Sequence, residues 1–180
     1  MNQLRKKIGF VPQKSLLFTG TIKENLLYGN PNASDEDIEN AIKVAQAKKF
    51  INEKEKGLNE SVSQGGTNFS GGQKQRLAIA RALVRKADVY IFDDSFSALD
   101  FKTDVKVRSA LKKYTKDSLV IIVGQRVSSI MNADKIIVLD EGKVVGQGTH
   151  SELLNSCQVY QEIVKSQLDL SLIHISEPTR

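Results

Sequence analysis

The sequence has no tryptophan, three prolines and a single cysteine, Cys157, among 180 residues. One thiol excludes an internal disulfide framework and fits a reducing compartment. The longest apolar run, Leu119 to Val123, falls far short of the ~20 residues that a membrane-crossing helix needs. The N-terminus has no signal-peptide pattern, so the chain reads as soluble by itself. No Gly-x-x-x-x-Gly-Lys-[Ser/Thr] run occurs: Gly142-Lys143 is followed by Val144 and lacks the upstream glycine. Nothing here therefore cradles the α- and β-phosphates of a nucleotide in that manner, and no lysine of that kind reaches the γ-phosphate. Positive charge is in excess, at +5, but it is dispersed, without blocks of five like charges and without interleaved aromatics. That pattern argues against a nucleic-acid partner.

What remains is an ordinary globular composition, 40% hydrophobic and 26% charged, enough for one domain with a real core. The informative stretch runs from Ser70 to Asp100. Ser70-Gly71-Gly72-Gln73 opens an apolar helical run, and paired glycines there let backbone N–H groups approach an anion at the positive end of a helix dipole. Val89-Tyr90-Ile91-Phe92 then reads as a strand ending in Asp93-Asp94, which places two carboxylates where a Mg²⁺ can be held and a water oriented. Ser97-Ala98-Leu99-Asp100 follows. Either segment alone also suits an ordinary turn or sheet edge.

In this order the segments resemble the signature motif, Walker B strand and D-loop of the ATP-binding cassette (ABC) ATPases, and the resemblance extends from Leu4 to about Leu168. It implies an α/β fold: a P-loop NTPase-like (RecA-like) core, truncated at its N-terminus, with an inserted α-helical subdomain. Residues 1–168 then form part of a nucleotide-binding domain. Within it, about 26–86 are the helical subdomain with the signature helix, and 87–168 the C-terminal part of the core. The resemblance implies ATP and Mg²⁺ as cofactors. It assigns Gln13 to Mg²⁺ and the attacking water, Asp93 to Mg²⁺ through coordinated water, and Asp94 to polarising that water. Ser70, Gly71, Gly72 and Gln73 would face the γ-phosphate of an opposing subunit, and Asp100 would belong to the same ATP-binding surface. Leu17 to Leu26 looks like the exporter branch of the family. The implied partners are a second nucleotide-binding domain and a transmembrane domain, placing the chain at the cytoplasmic face of the cell membrane.

Local patterns fill in the rest. Lys7 to Pro12 reads as a strand stopped by proline. Ser34 and Asp37 form a capping pattern, and Ile38, Ala41, Ile42 and Ala45 recur at helical spacing, which predicts a helix from about Asp35 to Lys48, with a shorter one at Phe50 to Lys54. Ser70 caps the signature helix, with its hydroxyl and the N–H groups of Gly71, Gly72 and Gln73 directed outward, unpartnered. Leu77, Ala80, Leu83 and Val84 make its buried face, while Arg76, Arg81 and Arg85 stay polar. A helix from about Lys102 to Tyr114 leads to a buried strand, Leu119 to Val123. Asp140-Glu141-Gly142 turns a hairpin. Thr149 and Glu152 cap a helical region reaching about Leu168, with His150 structural. The tail, 169–180, including His174, reads as non-native or disordered.

Two departures from the family pattern bear on mechanism. Asp94 stands where the family has glutamate, and its side chain is one methylene shorter. General-base contributions run about 10²–10⁴-fold, and a displacement of roughly 1 Å forfeits about 10²-fold. Gln125 stands where the family has a histidine on the γ-phosphate, and an amide cannot carry positive charge. Together they suggest the slow site of a heterodimeric exporter, whose intact signature serves its partner, with this piece alone inactive. A self-paired exporter using Asp94 as a slow base, a soluble ABC ATPase outside transport, and an interaction module without nucleotide chemistry remain alternatives.

Overall fold

The computed structural model describes residues 2–173, which fall into two compact units, one up to Val123 and one from Gly124, each with its own apolar core. The first unit begins with α1 (Asn2–Lys6), β1 (Ile8–Val11), β2 (Gly20–Thr21), α2 (Ile22–Leu27), α3 (Asp35–Val44), α4 (Lys48–Asn52) and β3 (Ser61–Val62). It continues through α5 (Gly71–Val84), β4 (Val89–Asp93), α6 (Phe101–Tyr114) and β5 (Leu119–Val123). The second holds α7 (Val127–Ile130), β6 (Ile136–Asp140), β7 (Lys143–Gly148), α8 (His150–Ser156) and α9 (Gln158–Ile173). No helix among the described residues is long and apolar enough to cross a membrane.

In the first unit β1, β4 and β5 form a parallel sheet in that order, with Phe10, Ile91 and Ile121 in register. The chain steps across the sheet in one direction, so right-handed crossovers put α5 and α6 on the same face. Val11, Tyr90 and Phe92 point to that face and share a core with Leu77, Ile79, Leu83, Val107 and Leu111. Within this unit, among the described residues, no packed helix layer covers the opposite face. Phe10, Leu119, Ile121 and Val123 are all exposed, so the strand predicted to be buried is buried on one side only. Parallel sheets ordinarily bury both faces.

One helix prediction changes at its end and another in its burial. The helix from Asp35 stops at Val44, not Lys48, because Gln46 takes a left-handed conformation (φ 55°). The N–H of Ala47 bonds the carbonyl of Ile42 at 2.8 Å and that of Gln46 the carbonyl of Lys43 at 3.0 Å, a Schellman termination that apolar spacing alone does not reveal. The signature helix α5 is buried on more than one face, including Ala78, Ile79, Ala82 and the polar Gln75. Its arginines are not simply solvated: Arg76 donates to the carbonyl of Gln46, Arg81 to that of Leu16, and Arg85 to those of Lys6 and Arg5.

In the second unit β6 and β7 form an antiparallel hairpin turned by Glu141 (φ 45°) and Gly142 (φ 75°). Two successive left-handed residues make the type I′ turn that matches strand twist. Thr149 and Glu152 close a capping box on α8, and His150 Nδ1 lies 2.8 Å from the Tyr160 hydroxyl, in keeping with a structural role. The single helical region predicted to reach Leu168 is two helices, broken at Cys157, whose backbone is extended (φ −122°, ψ 104°). The second helix runs on to Ile173, so the predicted tail begins as helix; residues 174–180, His174 among them, lie outside the described residues.

Candidate functional site

Open parallel sheets bind ligands beyond the C-terminal ends of their strands. β4 is the middle strand, and its last residue, Asp93, pairs with Val123 of β5. The next residue, Asp94, donates its N–H to the Val123 carbonyl at 2.8 Å and then turns left-handed, with φ 44°. Aspartate tolerates that conformation better than most residues. Its carbonyl accepts from Ser97 Oγ at 2.9 Å. Ser95, fully buried, places its hydroxyl 2.9 Å from the Val11 carbonyl and 3.2 Å from that of Asp93, tying the ends of β1 and β4 together. Gln13 leaves β1 just beyond Pro12, and its Nε2 lies 3.4 Å from Asp94 Oδ2, a long contact. Gln13 is exposed and Asp93 and Asp94 are half-buried, so all three remain within reach of solvent.

These side chains offer hard oxygen donors: the Gln13 amide and the carboxylates of Asp93 and Asp94. Among the described residues no group of three or more His, Cys, Asp or Glu gathers into a self-sufficient metal cage. That suits Mg²⁺, which binds one or two carboxylates and completes its shell with water and substrate phosphates. The donor set fits a Mg²⁺ that takes the rest of its shell from water and phosphate oxygens.

The start of α5 corrects one expectation. Ser70 Oγ and the Gln73 N–H do not stand free. They bond each other at 3.2 Å, while the Ser70 N–H donates to Gln73 Oε1 at 3.0 Å, a reciprocal capping box. Gly71 and Gly72 occupy the rest of that open first turn. A Cβ added at Gly71 would meet nothing within 4 Å, while one at Gly72 would meet the Ala98 carbonyl at 3.3 Å. The 97–100 turn thus passes close to the helix start. Asp100 caps α6, accepting from the Thr103 N–H at 2.9 Å. Hydrogen bonds from Thr103, side chain first and backbone second, hold its carboxyl below the usual carboxylate range, with Arg76 adding a smaller pull.

Gln125 belongs to the second unit. It is exposed, and its carbonyl accepts from Gln167 Nε2 at 2.7 Å while Gln167 Oε1 accepts the N–H of Val127 at 2.8 Å. The first unit therefore brings Gln13, Asp93 and Asp94 to one sheet edge and Gly72 beside the 97–100 turn. Sequence reasoning missed Ser95 and Gln75. No pattern marks Ser95. Gln75 did carry a signal: four residues before Ile79 and eight before Leu83, it lies on the helix's own apolar stripe.

Residues 1–97 match the family model described as ABC transporter. An ABC transporter ATP-binding protein of Mycobacterium tuberculosis (strain ATCC 25618 / H37Rv) is 48% identical over 168 residues, covering 92% of this chain and 28% of that protein. A Rickettsia typhi protein named for export, an ATP-binding/permease protein, is 42% identical over 167 residues, covering 93% of this chain and 29% of its own length. A bacterial Atm1-family ABC exporter, solved with ATP bound, superposes with a TM-score of 0.90 at 37% identity, over 93% of this chain and 30% of that one. The chain thus spans less than a third of the length of the relatives it matches.

Proposed function

The chain belongs to the ABC transporter family, with the α/β fold of part of its P-loop NTPase-like domain, and from that premise we propose that it is part of the ATP-binding domain of an exporter. ATP-driven pairing of two such domains would power export through a transmembrane domain, with the chain at the cytoplasmic face of the membrane. The observation that carries this reading is the end of β4: Asp93 and Asp94 at the C-terminal edge of a parallel sheet, with the Gln13 amide 3.4 Å from Asp94. The bare apolar sheet face and the free edge of β5 fit one more strand–loop–helix unit, the kind that carries a phosphate loop. Residues 26–86 serve as the helical subdomain and 87–168 as the C-terminal part of the core.

Bound Mg²⁺–ATP supplies the phosphoryl group to be transferred and the charge that the site must orient. Asp93 and Gln13 are the residues to hold the cation. The first-turn amides of Gly71 and Gly72 would take the γ-phosphate belonging to the partner's half-site, at the positive end of α5. Asp94 is proposed for the water-polarising position, and its backbone is tied on both sides, by hydrogen bonds to Val123 and from Ser97. It has little freedom to make up for the methylene it lacks. By the family resemblance, Gln125 stands where a histidine would supply a cation. This chain's half-site is therefore slow, its partner in a heterodimer performs most of the cleavage, and the 180-residue chain alone is inactive.

Asp94→Glu combined with Gln125→His in the complete heterodimer tests the proposal. Turnover at this half-site should rise by about 10²-fold, the loss attributed to a misplaced base. Unchanged turnover and unchanged trapped-nucleotide stoichiometry overturn the slow-site reading.

A further inference from the structure

Among the described residues two buried side-chain nitrogens have no hydrogen-bond partner: Nε2 of Gln75 and Nη1 of Arg81. Unsatisfied buried donors are uncommon and each calls for a reason. Both lie on α5, and both residues use their remaining atoms on one short loop. Ser15 Oγ donates to Gln75 Oε1 at 2.5 Å, and Arg81 Nη2 donates to the Leu16 carbonyl at 3.0 Å. The Arg81 guanidinium also lies over the ring of Phe18, 5.4 Å from its centroid. Reversing the Gln75 amide would only move the bare atom from nitrogen to oxygen. Burial pushes the Arg81 guanidinium down, as expected of a cation without a nearby carboxylate.

The same loop begins at Gln13, whose amide reaches Asp94. We infer that Gln75 and Arg81 are positioning residues that latch the 13–18 loop onto α5, so that the helix presenting Gly71 and Gly72 to one nucleotide also sets where Gln13 meets the cation of another. The two half-sites are thereby coupled within one chain, through side chains that touch neither nucleotide. This inference rests on the proposed nucleotide site.

The test uses the complete protein with its partner domain, the partner's own site blocked, and Mg²⁺ with ATP as the probe. Ser15→Ala removes the donor without touching the core, and Gln75→Leu removes the acceptor at similar volume. Each should raise the half-saturating Mg²⁺ concentration for nucleotide binding by about fivefold to tenfold, the scale of one hydrogen bond. Binding measured in EDTA should not change. Ser15→Thr should restore wild-type behaviour, and the double variant should be no worse than either single one, as for residues acting as a unit. In nucleotide-free protein, Gln75→Leu and Arg81→Lys should speed hydrogen exchange at the amides of residues 15–18. A wild type that binds Mg²⁺–ATP while Ser15→Ala and Gln75→Leu leave both Mg²⁺ dependence and exchange unaltered overturns the latch alone. Equal losses with and without Mg²⁺ reduce it to a packing contact and overturn it too. A wild type that binds no nucleotide overturns the site itself.

Discussion

The start of α5 and the end of β4, the two parts of the proposed nucleotide site, are built in opposite ways. At α5 the groups proposed to face an anion are backbone amides, held by a reciprocal Ser70–Gln73 box. Arg76 clasps the Gly72 carbonyl at 3.2 Å and the Gln46 carbonyl at 2.8 Å and lies over the Phe50 ring. At β4 the chemistry sits in side chains, in a left-handed Asp94 and an exposed Gln13 joined by a single 3.4 Å contact. A backbone site tolerates side-chain change, because its donors belong to every residue. A water-polarising carboxylate does not, because its reach is one bond length from failure. The two departures proposed to slow the site, Asp94 and Gln125, fall among the side chains, and the glycine pair is intact.

The sharpest way to break this contrast is to obstruct the amides without disturbing their support. Gly71→Val adds a side chain where nothing lies within 4 Å, at the first helical position. Its cost in folding stability should stay below about 1 kcal/mol. Turnover at the partner's half-site should nevertheless fall by about 10²-fold or more, as when an anion-stabilising donor is lost. Steady-state hydrolysis alongside denaturant unfolding separates the two. Parallel losses would mean that Gly71 is architectural and that the start of α5 is not an anion site.

A smaller effect distinguishes the two regions by stability. Ser70→Ala breaks the capping box and should cost about 1 kcal/mol, with an unchanged denaturant slope. Gln13→Leu removes only an exposed, long contact and should stay within about 0.5 kcal/mol. Equal costs would mean that the end of β4 is held as firmly as the start of α5.

Much of this was legible in the residues themselves. The Ser34–Asp37 and Thr149–Glu152 boxes, the strand stopped at Pro12 and the Glu141–Gly142 turn are local devices, and local sequence specifies them. The family resemblance also placed the fold correctly. The misreadings have one source, which is that they depend on what else is present. Leu119 to Val123 has the composition of a two-sided buried strand, and only the sheet order shows one side uncovered. The helix from Asp35 carries apolar residues past its end, because Ala45, its cap, and Ala47 pack on either side of the turn at Gln46. Gln73 looked like a free donor, since a box with glutamine at its third position satisfies the cap without an acidic residue.

The smallest expected effect bears on the caps alone. Ser70 and Gln73 carry no titratable group, whereas the cap of α6 is Asp100, whose carboxyl is held low chiefly by its hydrogen bonds from Thr103. A group whose folded pKa is depressed contributes stability that is fully present above its unfolded value, about 3.9 for aspartate, and is lost as pH falls through the lower folded value. Acidification from about pH 5 to about pH 3 should therefore loosen the start of α6 while leaving the start of α5 protected. Hydrogen exchange read at the Thr103 and Gln73 amides, corrected for the intrinsic pH dependence of exchange, follows the two caps in one sample. Asp100→Asn keeps an acceptor for the Thr103 amide but removes the proton equilibrium, so its Thr103 protection should be flat across that window. If both amides lose protection together, or if the asparagine variant retains the acid transition, the transition belongs to the fold as a whole and the caps do not differ in the way their chemistry requires.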